Sequence, residues 1–515
     1  NGDTVTIEKY VAVCTSRDFE KDNLEETATQ KLNDALKTGY DELFKEHCVA
    51  LDNKWNECDV LIDGDVQAQQ GIRYNIFQLN QTYTGDDPRL NLGPKGFTGE
   101  KYGGSTYWDT EAFCLPFYLY TNSEIARNLL YYRYLQLDKA RGNARKLGLS
   151  GALYPMVTMD GEECHNEWEI TFEELHRNGA MAYAVYNYTN YTGDKTYLDD
   201  YGIEELAEIS RFWASRVNYN PTKDKYMMLC VTGPNEYENN INNNWYTNTL
   251  AAWTMDYTRE CLFDLKTRKP ERYNSLISKI SLSDAEIEKW KEISSKMHFP
   301  FVKELGIFEQ QDLYMDKEQK LVQDIPENEL PLNKHWSWDK ILRSCFIKQA
   351  DVIQAFYFFP QKYDKECKKR NFDFYEPRTV HESSLSPSVY SIVASQIGYK
   401  EKAYELYLRT SRLDLDNYND DTDDGVHLTS MSGSWLAIVQ GFAGVYVEND
   451  ILTLNPFIPE QWKCYSFKMN FRGSKIKISV STGKVNIELL NDKPLKILAY
   501  DKEYTVNDSL TIDMP

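Results

Sequence analysis

From Gly64 to Gly441 the chain is an almost unbroken succession of helical patterns, and this constrains its fold more than any other feature. Apolar residues recur at helical spacing over Gln67 to Tyr83, Asp109 to Tyr120, Ser123 to Lys146, Trp168 to Tyr191, Glu204 to Val217 and Asn242 to Leu265. The pattern continues over Ala285 to Met297, Lys340 to Phe358, Ser383 to Ile397, Lys400 to Thr410 and Val426 to Gln440. Leu206, Ile209, Trp213 and Val217 show the stripe plainly. Roughly a dozen helices, several in hairpin pairs, suit an α-barrel or solenoid better than a small bundle. No short repeat recurs, which counts against a consensus-repeat array.

Different textures flank the helices. Thr4 to Thr15 (TVTIEKYVAVCT) is rich in β-branched residues and reads as one or two strands. Leu24, Ala28, Leu32, Leu36, Tyr40 and Phe44 then predict one unusually long amphipathic helix, acidic in its first turns. After Phe442 alternation returns in YVENDILTLNP, SFKMNFRGSKIKISVST and KVNIELL, which predicts a small C-terminal β-domain. The expected plan is the end of a β-domain over residues 1–15, a helical linker over 16–63, a helical barrel over 64–441 and a β-domain over 442–515. The chain opens on Asn1 rather than Met, almost directly into the first expected strand, as though cut from something longer.

Charge narrows the partners. The chain carries 58 basic and 79 acidic residues, a net charge of −21, and that field repels a nucleic-acid backbone. A neutral sugar is compatible with it, whereas an anion needs a local basic pocket. No apolar run is long enough to span a bilayer, so no membrane partner is expected. Ten cysteines lie singly, without a C-x-x-C pair and without clustering among the histidines as zinc ligands would. They read as thiols of a reducing compartment. Aromatic residues make up 14% of the chain, enough to cover sugar faces but equally suited to core packing.

Four stretches carry chemistry. In GPNEYENNINNNWYTN (Gly233 to Asn248), Glu236 sits in a loop beside Tyr237 among amides, a setting for a general acid; the alternative is a loop of helix-capping Asn residues. In GGSTYWDTEAF (Gly103 to Phe113), Trp108 and Asp109 offer an indole face and a carboxylate from one rim, or Asp109 simply caps a helix. In PRTVHESSLS (Pro377 to Ser386), Ser383 and Ser384 open a helix after His381, either as an anion cradle or as an ordinary cap. DDGVHLTSMSGSW (Asp423 to Trp435) adds His427 among small residues. Lys348 and Gln349, expected on a helix, could bind hydroxyls or phosphate, or lie on the surface.

In combination and order these segments resemble the glycoside hydrolase family that contains the maltose, kojibiose and trehalose phosphorylases. The resemblance rests on GGSTYWDTEAFCLPFY, ARGNARKLGLSGALYPM, GPNEYENNINNNWYTN, KQADV, HESSLS and LTSMSGSW, from about Tyr102 to Trp435. It implies an N-terminal β-sandwich, a helical linker, an (α/α)6 barrel and a small C-terminal β-domain, with residues before Ser16 as the end of the sandwich. Gly161 to Asp194 looks most like members acting on maltose, and members acting on kojibiose, nigerose or trehalose differ there. The loop from His165 through Glu167, Trp168 and Glu169 to Glu173 is the region that shapes the acceptor pocket in the family. The resemblance assigns Glu236 as general acid and Trp108, Asp109, Lys348 and Gln349 to the glucosyl unit. It places phosphate near Ser383, Ser384, His427 and His381. The activity it implies is inverting phosphorolysis by inorganic phosphate, a co-substrate, without metal or organic cofactor, in a cytoplasmic homodimer. A hydrolase of the same family is the rival, with Glu382 as a base.

Overall fold

The computed structural model describes residue 2 and residues 4–164 and 170–515. It forms two compact units, the first ending at Asp59 and the second running from Val60 to Pro515.

The first unit contains helices α1 (Leu24–Thr38) and α2 (Tyr40–Cys58). The single helix expected here is interrupted because Gly39 takes φ 81° and ψ 159°, a conformation that glycine reaches without steric cost. Residues 4–15 form no strand. Val5, Ile7, Val11 and Val13 are 71% to 87% exposed, and β-branched composition does not make a strand without a neighbouring edge to pair with.

In the second unit, β1 (Val60–Asp63) leads into α3 (Val66–Thr82). The helices that follow are α4 (Leu115–Thr121), α5 (Ser123–Tyr134), α6 (Leu137–Lys146), α7 (His176–Thr192), α8 (Ile203–Arg216) and α9 (Trp245–Arg268). Then come α10 (Pro270–Lys279), α11 (Asp284–Lys296), α12 (Val352–Phe358), α13 (Lys365–Tyr375), α14 (Ser386–Ile397), α15 (Lys400–Ser411) and α16 (Leu428–Leu436). Helices α4, α7, α9, α12, α14 and α16 touch in that order, and α16 closes the ring on α4. The outer layer is α3, α5, α8, α11, α13 and α15. This is an (α/α)6 barrel.

Inner helices α4, α12 and α16 are largely apolar or small because every side of them is buried. All nine residues of α16 are buried. Close approach sets residue size: a Cβ on Gly433 of α16 would lie 2.5 Å from Ser388 Oγ of α14. Two expected helices are broken. Ser123 to Lys146 divides at Leu135 and Gln136 into α5 and α6. Lys340 to Phe358 is helical only at its ends, and its centre instead bridges Ile347 to Thr379.

Strands β2 (Tyr446–Glu448), β3 (Ile451–Leu454), β4 (Cys464–Phe471), β5 (Ser474–Ser481), β6 (Lys484–Leu489), β7 (Leu495–Ala499), β8 (Lys502–Val506) and β9 (Ser509–Asp513) form the C-terminal β-domain. One sheet has the order β1-β4-β5-β6-β9 and the other β8-β7-β3-β2. Along β4, Tyr465, Phe467, Met469 and Phe471 are buried and alternate with less buried neighbours, the period of a strand packed on one face. Sheet β1-β4 is antiparallel, with Val60 opposite Phe467.

Candidate active site

Each inner helix is entered by a loop that carries a candidate residue. Trp108 and Asp109 precede a wide π turn, Thr110–Cys114, that runs into α4. Glu174 precedes α7, Glu236 lies ahead of α9, Lys348 and Gln349 precede α12, Ser383 and Ser384 precede α14, and His427 precedes α16. All nine line one cavity of about 250 Å³. The loops that enter all six inner helices therefore contribute to one cavity.

Asp109 makes no capping bond to the turn it opens. Its carboxylate accepts from Thr429 Oγ1 at 3.0 Å. Burial pushes it up to about 6, with Glu236 adding to the rise and the Thr429 bond opposing it. Trp108 is held edge-on against His176, ring centroids 4.7 Å apart. Burial drives the His176 imidazole down to about 3, so this ring packs as a neutral group.

Glu236 Oε2 lies 2.6 Å from Lys348 Nζ. Burial alone would lower the Lys348 ammonium, but the Glu236 carboxylate outweighs it and raises it. The loop is stitched to the 348–351 segment. Lys348 N donates to Asn235 Oδ1 at 2.9 Å, and Gln349 Nε2 donates to Pro234 O at 2.7 Å. Gln349 Oε1 is buried with no partner among the described residues, an acceptor at the cavity wall. Lys348 and Gln349 are not helical; the bridge at Ile347 holds them in an irregular segment that turns both toward Glu236. The capping reading of this stretch also holds, at another residue: Asn244 accepts from Thr247 N at 2.8 Å and starts α9.

The other polar group surrounds His427. Its Nδ1–H donates to Asp414 Oδ1 at 2.6 Å, while Nε2 lies 2.8 Å from Lys95 Nζ and 3.2 Å from Asp421 Oδ2. Burial alone would lower the His427 pKa; the bonds to Asp414 and Asp421 outweigh it and raise it. Lys95 is 5% exposed and donates to Gly425 O at 3.1 Å. Ser383 Oγ accepts from Leu385 N at 3.2 Å, one turn ahead of α14. Glu382 also lines the cavity, with its oxygens engaged. It accepts from Leu332 N at 2.6 Å, from Asn333 N at 3.5 Å and from the Tyr237 hydroxyl.

Residues 73–436 match the Glycosyl hydrolase family 65 central catalytic domain, residues 445–506 its C-terminal domain and residues 1–54 its N-terminal domain. The chain belongs to glycosyl hydrolase family 65. It is 53% identical over 498 residues to the maltose phosphorylase of Bacillus subtilis, a match covering 96% of this chain and 65% of that protein. The α,α-trehalose phosphorylase of Thermoanaerobacter brockii is 40% identical over 98% of this chain and 65% of its own length. A solved structure, a putative kojibiose phosphorylase from the human microbiome, superposes with TM-score 0.92 at 37% identity, covering 96% of this chain and 73% of that one. The chain thus spans about 65% of the two curated relatives it matches here.

Within this family 65 barrel, two expected ligand residues lie elsewhere. His381 does not line the cavity; with φ 55° its ring turns into the core, Nδ1 2.8 Å from Ser386 Oγ, and burial lowers its pKa well below the usual range. Glu173 is also off the cavity. It accepts from Thr232 Oγ1 at 2.7 Å and Asn240 N at 2.8 Å, tying down the Glu236 loop. The next residue, Glu174, faces the cavity instead, because successive residues of a helical turn point about 100° apart. Burial, reinforced by the Glu236 charge, raises the Glu174 carboxyl well above the carboxylate range. His165, Glu167, Trp168 and Glu169 lie outside the described residues. Sequence reasoning missed Glu174 and Lys95. The signal for Glu174 is its place directly before an inner helix, shared with Asp109 and His427.

Proposed function

We propose that this chain catalyses the inverting phosphorolysis of maltose, giving β-D-glucose 1-phosphate and D-glucose. One observation carries the reading. The cavity that holds Glu236 also holds Lys95, His427, Ser383 and Ser384, and Glu382, the carboxylate at its wall that a hydrolase would draft as base, has its oxygens engaged by Leu332 N, Asn333 N and Tyr237. An inverting hydrolase needs a second carboxylate free to deprotonate water. A phosphorylase needs no such base, because phosphate arrives as an anionic nucleophile, and it needs donors to hold that anion.

In this mechanism Trp108, Asp109, Gln349 and Lys348 hold the glucosyl ring. Lys348 turns from Glu236 to a sugar hydroxyl, and Glu236 in its protonated form gives its proton to the glycosidic oxygen. The C1–O bond breaks as a phosphate oxygen bonds to C1 from the opposite face. The α-linkage becomes a β-phosphate, glucose leaves, and Glu236 regains a proton from solvent. No metal or organic cofactor enters the reaction. Maltose as the substrate is supported by the 53% identity to a maltose phosphorylase. The homodimer and the cytoplasmic setting belong to the same proposal.

The full-length protein incubated with maltose should form glucose 1-phosphate, followed by ³¹P NMR, only when phosphate is present. Two glucoses released equally fast without phosphate refute the reading. Faster turnover of kojibiose, nigerose or trehalose overturns the choice of maltose alone.

A further inference from the structure

Behind the Glu236 loop, away from the cavity, lies a carboxylate that the mechanism does not use. Asp351 is 2% exposed and directly precedes α12, yet makes no capping bond to it. Its oxygens accept from Asn244 Nδ2 at 2.9 and 3.1 Å and from the backbone N–H of Asn235 at 3.2 Å. Asn244 also caps α9 through Thr247 N and donates to Gln310 O at 3.2 Å, so the pair joins the starts of two inner helices to the residue before Glu236. Space for this contact is reserved in the chain. A Cβ on Gly233 would lie 2.3 Å from Asp351 Oδ2 and 2.4 Å from Asn244 Nδ2.

We propose that Asp351, clamped by Asn244 and bonded to Asn235 N–H, is a positioning residue that fixes the direction in which Glu236 presents its proton. The inference rests on Glu236 being the general acid. Every neighbour that bonds the Asp351 side chain is a donor, so the site accepts a carboxylate and rejects an amide. An Asn there would turn its NH₂ toward Asn244 Nδ2 or Asn235 N–H. The loop must then shift, and a displacement of about 1 Å at a reacting group costs on the order of 10²-fold in rate.

The test compares maltose with α-D-glucosyl fluoride, both with phosphate and the full-length protein. Fluoride leaves without needing a proton, so it reports glucosyl and phosphate binding without the acid. Asp351→Asn should lower kcat for maltose by about 10- to 100-fold and change turnover of the fluoride by less than about threefold. The exchange Asp351→Asn with Asn244→Asp restores a donor–acceptor pair and keeps an acceptor for Asn235 N–H while losing the donor to Gln310 O, and should recover part of the lost maltose activity. Gly233→Ala presses on the same contact and should give the same split between substrates; it carries the test if Asp351→Asn does not fold. Equal losses on both substrates, or unchanged maltose turnover, overturn the proposal. Glu236→Gln measured alongside separates the two readings: if it retains maltose activity the acid is misassigned, whereas its inactivity with an unaffected Asp351→Asn overturns the positioning role alone.

Discussion

Replacing Lys95 by Met isolates the anion-holding part of the site. The side chains are of similar length, so the substitution removes the ammonium and keeps the packed stem. The ammonium has three N–H donors; Gly425 O takes one at 3.1 Å and His427 Nε2 lies 2.8 Å from Nζ, so at least one remains for a ligand. A hydrogen bond to a charged group contributes about 1.5–3 kcal/mol, which corresponds to roughly 10- to 150-fold in affinity. The upper part of that range is expected. Asp414 holds His427 Nδ1 and Asp421 lines the cavity beside Nε2, and without Lys95 their charge faces the anion less compensated. Initial rates against phosphate at saturating maltose should show the phosphate KM raised by about 30- to 150-fold. The KM for maltose at saturating phosphate should move by less than about threefold. An unchanged phosphate KM, or an equal rise in both constants, would show that Lys95 does not serve the anion.

Glu236→Gln keeps the shape of the acid without its proton and should lower kcat by about 10²–10⁴-fold while leaving maltose binding, measured by calorimetry, nearly intact; near-normal turnover rejects it as the acid. Ser383→Ala, Ser384→Ala and His427→Ala should each raise the phosphate requirement by roughly tenfold or more and the maltose requirement little, and ordinary phosphate dependence in all three would show the cradle is misassigned. Glu205 is buried between the Tyr154 and Tyr197 hydroxyls, 2.8 and 2.9 Å away, and burial raises it to about 8. The folded state thus keeps a proton that the unfolded chain releases near its ordinary value, so stability falls as pH rises from about 4.5 to 8, by at most about 1.4 kcal/mol per pH unit. Glu205→Gln should flatten the decline of Tm over this window, and parallel curves for the two proteins would refute the assignment.

The barrel is legible in sequence where helices have an outer face. Ala403, Leu406, Tyr407 and Thr410 of α15 are buried at helical spacing, and exposed Lys400, Glu401 and Glu405 reveal the period. The stretch around Lys348 misleads for the converse reason. Cys345, Phe346 and Ile347 are as buried as helix α12, so an irregular segment reads as a continuation of it. The loop positions of Glu236, Trp108 and Asp109, which line the cavity, were legible because breaking residues and aromatic rings mark those loops. Lys95 was not. In PKG it resembles an exposed turn, and its burial is made by Gly425 and His427, far along the chain. His381 shows a limit of adjacency: it stands two residues from Ser383, but its positive φ turns the ring the other way.

The pairing of β1 with β4 has a consequence for how this protein is made. Val60 is synthesised about 400 residues before Phe467, the residue it faces. A ribosome has therefore released almost the whole barrel before the first strand of this unit meets its neighbour. Until then β1 is an unpaired edge, the kind of surface that recruits foreign strands. Closing so long a loop adds only slowly to the entropic cost, but it delays the contact and favours slow assembly. Once formed, the ladder acts as a clasp. It fastens the entry to α3 to the sheet that follows α16, and α3 packs against α16, the inner helix that closes the ring on α4. Truncation after Phe442 would leave the inner wall intact in sequence and the clasp undone, so the small terminal domain serves as the fastener of a barrel whose cavity it does not line.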